Sequence, residues 1–114
     1  MKAKPKVSFD HFLELDLRAG RVLDAKPFPE AKKPAYILEI DFGPLGVLKS
    51  SAQITQHYSC ENLKGEWVIA VVNFHKKQIG PIQSECLVLG VYDQNQAVRL
   101  LQVKGDISPG SPIA

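Results

Sequence analysis

The residues able to do chemistry in this chain are few and scattered. His11, His57 and His75 fall on separate segments, and Cys60 and Cys86 lie far apart. His57 and Cys60 are three residues apart, which is ligand spacing, but a zinc site needs two further ligands. None is evident, and we read the pair as a surface histidine near a free thiol. Glu39 and Asp41 alternate with apolar residues and read as solvated side chains of a strand. Acid–base catalysis would need a cleft that shifts their pKa values, and nothing in the pattern marks one. A glycine-rich phosphate loop and a Gly-x-Ser-x-Gly nucleophile elbow are both absent from the sequence. These residues predict a chain that is not an enzyme and takes no cofactor and no metal.

Lysine is the type that clusters. Lys26, Lys32 and Lys33 share one proline-rich stretch, Lys26 to Pro34, and Lys76 and Lys77 follow His75 in another, His75 to Gln83. Lys49 lies between the two, and Arg18 and Arg21 precede the first. Lysines gathered on one edge would track a phosphate backbone, and aromatic rings beside them would stack on bases. Phe74 and His75 adjoin the second cluster, although Phe74 closes an apolar run and its type favours the core. Tyr36 and Tyr58 are open to either role. Paired loop lysines also commonly do no more than keep a surface wet. Bulk charge does not decide the matter. Fourteen Lys and Arg against twelve Asp and Glu leave +2, and the pI of 8.6 is below the value above about 9 of many nucleic-acid-binding domains. The elements that position the lysines must decide it.

Residues 1–7 read as a loose basic leader, and residues 8–114 as a single domain. Ser8 is placed to cap a short helix with Phe9, Phe12 and Leu13 on one face. One or two turns cannot stand alone, so that face must dock on something. Strands follow. Leu17 to Ala25 is the first, with Gly20 suggesting a bulge or bend. Tyr36 to Phe42 alternates clearly, Tyr36, Leu38, Ile40 and Phe42 facing one way. Gly43 to Gly46 is a turn, and Val47 to Ser50 is a third strand. Ser51 to His57 reads as a helical turn or two, capped by Ser50 or Ser51, and Asn62 to Gly65 as a turn. Trp67 to Phe74 is apolar enough to be covered on both faces. Glu85 to Tyr92 is a fifth strand, and Ala97 to Val103 a sixth belonging to the C-terminal extension. Three strands, a short helix and two strands are the order of the OB-fold, a five-stranded, partly open barrel. The expected fold is therefore all-β: an OB barrel with a short helix between strands three and four, an N-terminal helix and a C-terminal extension. Composition alone leaves an SH3-like barrel open. In the OB arrangement the two lysine loops flank the ligand face, with Lys49 between them.

A chain of 114 residues with 45% hydrophobic and 23% charged residues is ordinary for one globular domain. Asp10, Glu14 and Asp16 interrupt any apolar signal segment, and no run approaches the ~20 apolar residues of a membrane span. A soluble, cytoplasmic protein with reduced thiols is expected.

The segment Phe12-Leu13-Glu14-Leu15-Asp16-Leu17-Arg18-Ala19-Gly20-Arg21-Val22 resembles the opening of the CsaA family and of the tRNA-binding domain appended to some methionyl-tRNA synthetases. Ile40-Asp41-Phe42-Gly43, Lys49-Ser50-Ser51-Ala52-Gln53-Ile54-Thr55, Val68 to Phe74 and Ser84 to Gly90 continue the resemblance in order, and the ending Ser108 to Ile113 is also similar. It spans nearly the whole chain from Phe9 onward. It implies an OB barrel, a homodimer built from the N-terminal helix and C-terminal segment, and binding of tRNA by shape. It also implies chaperoning of unfolded or precursor polypeptides for export. Phe9, Phe12 and Leu13 would then lie in the dimer interface. Matched residue by residue, Lys49, Ser51, Gln53, Asn73, Ser84 and Glu85 are carried over as RNA-binding residues, beside Lys32, Lys33, Lys76 and Lys77 of the loops. Ser51 and Asn73 have plain structural alternatives as a cap and a loop anchor. Where the family usually has two prolines after Asn-Phe, this chain has His75-Lys76-Lys77-Gln78, which predicts a looser loop. Cys86 stands where the family often has a larger apolar residue.

Two functions compete. A tRNA-binding module predicts affinity that falls steeply with salt. A polypeptide-binding chaperone predicts an exposed apolar groove and weak salt dependence. The basic loops favour the first.

Overall fold

The computed structural model describes residues 2–114. Helix α1 (Phe9–Leu13) is followed by β1 (Leu17–Pro27), β2 (Tyr36–Asp41), a 3-10 turn at Gly43–Leu45 and β3 (Val47–Ala52). Then come α2 (Cys60–Leu63), β4 (Trp67–Val71), β5 (Lys77–Ile79), β6 (Ile82–Ser84), β7 (Leu87–Val88), β8 (Gly90–Tyr92) and β9 (Val98–Leu100). Five strands form one antiparallel sheet in the order β3-β2-β1-β4-β7. It curls so that β3 approaches β7 and nearly closes a barrel. The expected OB-type barrel is thus the observed fold.

Alternation in β2 produces the core directly. Leu38, Ile40 and Phe42 are fully buried, and Val22, Val68 and Ala70 meet them from β1 and β4. Val68 to Val71 are buried along both faces of β4, as the unbroken apolar run requires, and Trp67 at its start is half-buried. The bend in β1 is at Leu23, where the register with β2 slips between Val22 and Asp24, and not at Gly20. Gly20 serves close packing instead: a Cβ there would stand 2.6 Å from both Ile40 Cγ2 and the Phe42 ring.

The helix between β3 and β4 exists, but it is α2 at Cys60–Leu63 and not Ser51–His57. Ser59 caps it, accepting from Asn62 N at 3.0 Å, and Leu63 is fully buried in the core. Ser50 and Ser51 cannot cap a helix because both are still in β3, paired with Leu38 and Ile37. β4 stops at Val71, so Phe74 lies outside it and is 49% exposed, not core. The expected fifth strand divides at Leu89. Leu89 N still donates to Ile69 O of the barrel, after which β8 turns away to pair with β9.

Ser8 accepts from Asp10 N and caps α1. Lys2 to Val7 are exposed and without regular structure, and Met1 lies outside the described residues. The C-terminal tail returns to β1: Ala19 N donates to Ser111 O and Ile113 N to Leu17 O, both at 2.9 Å.

Candidate nucleic-acid interface

The barrel closes through a seam between β3 and residues 84–86. Glu85 N donates to Lys49 O at 2.8 Å, and Lys49 N donates to Glu85 Oε1 at 3.0 Å. Ser51 N donates to Ser84 Oγ at 3.1 Å. Ser50, the buried polar residue of the core, donates its hydroxyl to Cys86 O at 2.9 Å. A buried hydroxyl without such a partner would cost about 1–3 kcal/mol. Burial also pushes the Cys86 thiol up to about 12, with the Ser50 hydrogen bond opposing and the Glu85 charge adding.

Two clefts flank the seam, and Leu87 lines both. The larger, about 410 Å³, brings Lys33 from the β1–β2 loop beside Ser51 and Gln53, with Tyr92 and Val98 of the β8–β9 hairpin opposite. The smaller, about 220 Å³, is formed by Phe74, His75 and Lys77 with Ser84, Glu85 and Cys86. The loop between β4 and β7 carries regular structure. It contains the β5–β6 hairpin, with Lys77 opposite Ser84 and Ile79 opposite Ile82. Gly80, at φ +53°, and Pro81 make its turn, the pattern of a two-residue type II′ connection. A Cβ at Gly80 would lie 3.5 Å from Glu30 Cβ and 3.7 Å from the Phe28 ring, so the hairpin tip reaches the β1–β2 loop. The two lysine loops meet at one end of the seam.

The cations differ in their surroundings. Lys76 pairs with Glu85 at 3.6 Å. Lys26 belongs to β1 rather than to the loop and lies 3.8 Å from Asp24. Among the described residues no carboxylate oxygen stands within 4 Å of Lys32, Lys33, Lys49 or Lys77. Arg18 is engaged away from the seam, with Asp16 at 2.6 Å and Gly110 O at 2.9 Å. Arg21 lies over the Trp67 ring and donates to Gly65 O.

Several expected ligand-facing groups have occupations inside the chain. Asn73 accepts from Asp16 N at 2.9 Å and donates to Glu14 O at 2.8 Å, tying the end of β4 to the α1–β1 junction. Ser84 and Glu85 hold the seam. Tyr36 donates to Tyr58 O and Tyr58 accepts from Leu100 N, so both hydroxyls serve the interior. Glu39 stands opposite Lys49 in the ladder, and Asp41 accepts from Gly43 N at the turn. His57 lies 2.7 Å from Asp93. Its hydrogen bond, ahead of those from Ala97 N and Asn95 N, holds the Asp93 carboxyl below its usual value. Arg99 reaches the same carboxylate at 3.3 Å. Phe74, noted in the sequence beside the second lysine cluster but read as core by type, lines the smaller cleft, and Leu87, which did not stand out, lines both. The cue for Phe74 was its place just after the strand-ending Asn73.

A five-stranded barrel with two basic loops meeting beside one seam defines an OB-type binding module. The chain belongs to the family described as "Putative tRNA binding domain", whose model matches residues 17–112. Among solved structures, the chaperone CsaA of Bacillus anthracis is similar at 46% identity with a TM-score of 0.91, covering 96% of this chain and all of that one. The CsaA chaperone protein of Picrophilus torridus is similar at 43% identity and a TM-score of 0.90, with the same coverage. A methionine–tRNA ligase of Porphyromonas gingivalis is 32% identical over 107 residues, 94% of this chain and 15% of that protein. The chain thus spans about 15% of the length of that ligase. No helix among the described residues is long and apolar enough to cross a membrane.

Proposed function

We propose that this chain is a non-catalytic tRNA-binding module that works as a homodimer in the cytoplasm, recognising structured RNA by shape and phosphate contacts. The observation that carries the reading is the meeting of the two lysine loops at the seam, through Gly80 against Phe28 and Glu30. In this reading Lys32 and Lys33 approach the RNA from one loop and Lys76 and Lys77 from the other, with Lys49 and Ser51 on β3 and Gln53 just past its end between them. The family match and the likeness to methionine–tRNA ligases support tRNA as the partner. Asn73, Ser84 and Glu85 contribute by shaping this edge. Residues 8–114 act as one domain with 1–7 as a leader. The α1 face supplies the dimer contact: Phe9 is 69% and Leu13 61% exposed, with Phe12 stacked on Phe9.

A second reading, capture of unfolded or precursor polypeptides, is favoured by a different observation. Leu87, Val91 and Tyr92 are exposed apolar residues along the larger cleft and its neighbouring hairpin, and the two similar CsaA structures are those of chaperones. The test is a titration against mixed tRNA at low and moderate salt, with an unfolded polypeptide as competitor. Saturable binding that weakens with salt and resists the competitor is expected. Salt-insensitive capture of the polypeptide without tRNA binding would make the second reading primary.

A further inference from the structure

The backbone that leads to Phe74 is pinned. Val72 N donates to Asp16 O at 2.9 Å, and the Asn73 amide bonds Glu14 O and Asp16 N. The next residue is an aromatic ring left 49% exposed. Exposing an apolar side chain forgoes part of what its burial would contribute, so the ring's position asks for an occupant. The only stacked aromatic pair among the described residues is Phe9 with Phe12, which leaves the Phe74 ring without an aromatic partner. The cleft beside it has an apolar floor from Cys86 and Leu87 and polar groups from His75, Lys77, Ser84 and Glu85. Among the described residues Lys77 has no carboxylate oxygen within 4 Å, and Glu85 pairs with Lys76 instead. Ser84 accepts a bond from Ser51 N and retains its own hydroxyl proton to donate.

We infer that this cleft is a subsite for one unpaired nucleotide, its base stacked on Phe74 and its phosphate beside Lys77. The inference rests on the RNA-binding reading and specifies what part of the RNA enters. A flat aromatic face, a free cation and a hydroxyl donor match a base, its phosphate and a base-edge acceptor. Paired bases are already stacked within their duplex, and it is unpaired bases that splay onto aromatic side chains. The free Lys77 favours an anionic nucleotide over an apolar peptide side chain.

The test measures binding of a single-stranded RNA oligonucleotide, a blunt RNA duplex of equal length and tRNA to the wild type and to Phe74→Ala, Phe74→Leu and Phe74→Tyr. Stacking worth about 1–3 kcal/mol per base corresponds to about 5- to 150-fold in affinity. Phe74→Ala and Phe74→Leu should each lose that factor for the single strand, with duplex affinity unchanged, while Phe74→Tyr should retain it. Leu preserves apolar packing, so its loss reports the flat face rather than folding. Unchanged single-strand and tRNA affinity in folded Phe74→Ala overturns this inference alone. So does an equal loss on duplex and single strand, a loss confined to polypeptide capture, or a change from dimer to monomer. Failure of the wild type to bind any of the three RNAs overturns it together with the parent reading.

Discussion

Lys49 and Glu85 face one another across the barrel seam and hold each other twice, through Lys49 N to Glu85 Oε1 and through Glu85 N to Lys49 O. The Glu85 carboxylate does here what a backbone carbonyl does in a continuous ladder. Removing it in Glu85→Ala should destabilise the protein by about 1–2 kcal/mol, and Glu85→Gln, which keeps an acceptor, by clearly less. Urea unfolding should show the shift as a lower midpoint at constant slope.

Lysines of the two loops should act on binding and leave the fold alone. With Lys32, Lys33, Lys76 and Lys77 all changed to Ala, tRNA affinity should fall strongly. The slope of log affinity against log salt should become shallower by about 0.7–0.9 for each phosphate no longer neutralised. Stability should change by no more than about 0.5 kcal/mol per exposed site. Removing the Lys76–Glu85 pair adds little, because exposed pairs are worth about 0–1 kcal/mol. Unchanged tRNA affinity in the folded variant would remove the proposed interface.

In the proposed dimer the α1 face, with Phe9 and Leu13 exposed, meets a second copy. Burying each such side chain contributes about 1.5–3 kcal/mol. Phe9→Ser combined with Leu13→Ser should therefore yield a monomer at micromolar concentration by sedimentation equilibrium. A mass still that of a dimer would place the interface elsewhere.

The two thiols should separate by reactivity. Cys60 is half-buried, whereas Cys86 is buried and pushed up to about 12. The thiolate is the reacting form. Iodoacetamide at pH 8 should modify Cys60 in the native protein and reach Cys86 only in denaturant, read by mass spectrometry. Because the folded value of Cys86 is raised, its contribution to stability is complete below the ordinary thiol value of 9.0 and declines as pH rises from there towards 12.

Asp93 has the opposite sign. Its carboxyl is held below the usual aspartate value by His57 first, so its contribution is present above about pH 4 and is lost as pH falls further. Wild-type stability should drop over that acid range, and Asp93→Asn should flatten the drop. The check is the thermal midpoint measured from pH 6 to pH 2. An identical acid slope in the variant would mean that other carboxylates govern it.

Much of the fold is legible in the sequence because it rests on local rules. Alternation from Tyr36 to Phe42 is the code for β2, the apolar run from Trp67 is that of a strand covered twice, and Ser8 is a plain cap. α2 escapes such a reading because four residues, apolar only at Cys60 and Leu63, are too few to show a period. Its signal is Ser59, the cap, while Ser50 and Ser51 look equally good and are claimed by β3 through pairing with distant residues. The β5–β6 hairpin is announced by Gly80-Pro81, but the same dipeptide reads equally well as a plain loop. At the candidate site, the placement of lysines in two loops can be seen, but their meeting cannot. It depends on Gly80 reaching Phe28 and Glu30, some fifty positions earlier in the chain. The exposure of Phe74 is hidden because an apolar run does not say where its strand ends. Asn73 decides that, by bonding backward to Glu14 and Asp16.

The seam carries a consequence for how this chain can drift. Elsewhere in the barrel the register is kept by backbone amides and carbonyls, which every residue type except proline supplies in full. Between β3 and residues 84–86, apart from the Glu85 amide on Lys49 and the long Cys86 Sγ contact to Lys49 O at 3.8 Å, the joining bonds run through the side chains of Ser50, Ser84 and Glu85. Substitutions that β1, β2 or β4 would absorb as changes of packing become, at these three positions, changes of connectivity. The edge proposed to meet RNA is therefore the part of the barrel whose closure is written in residue identity, and variation there would alter shape and recognition together.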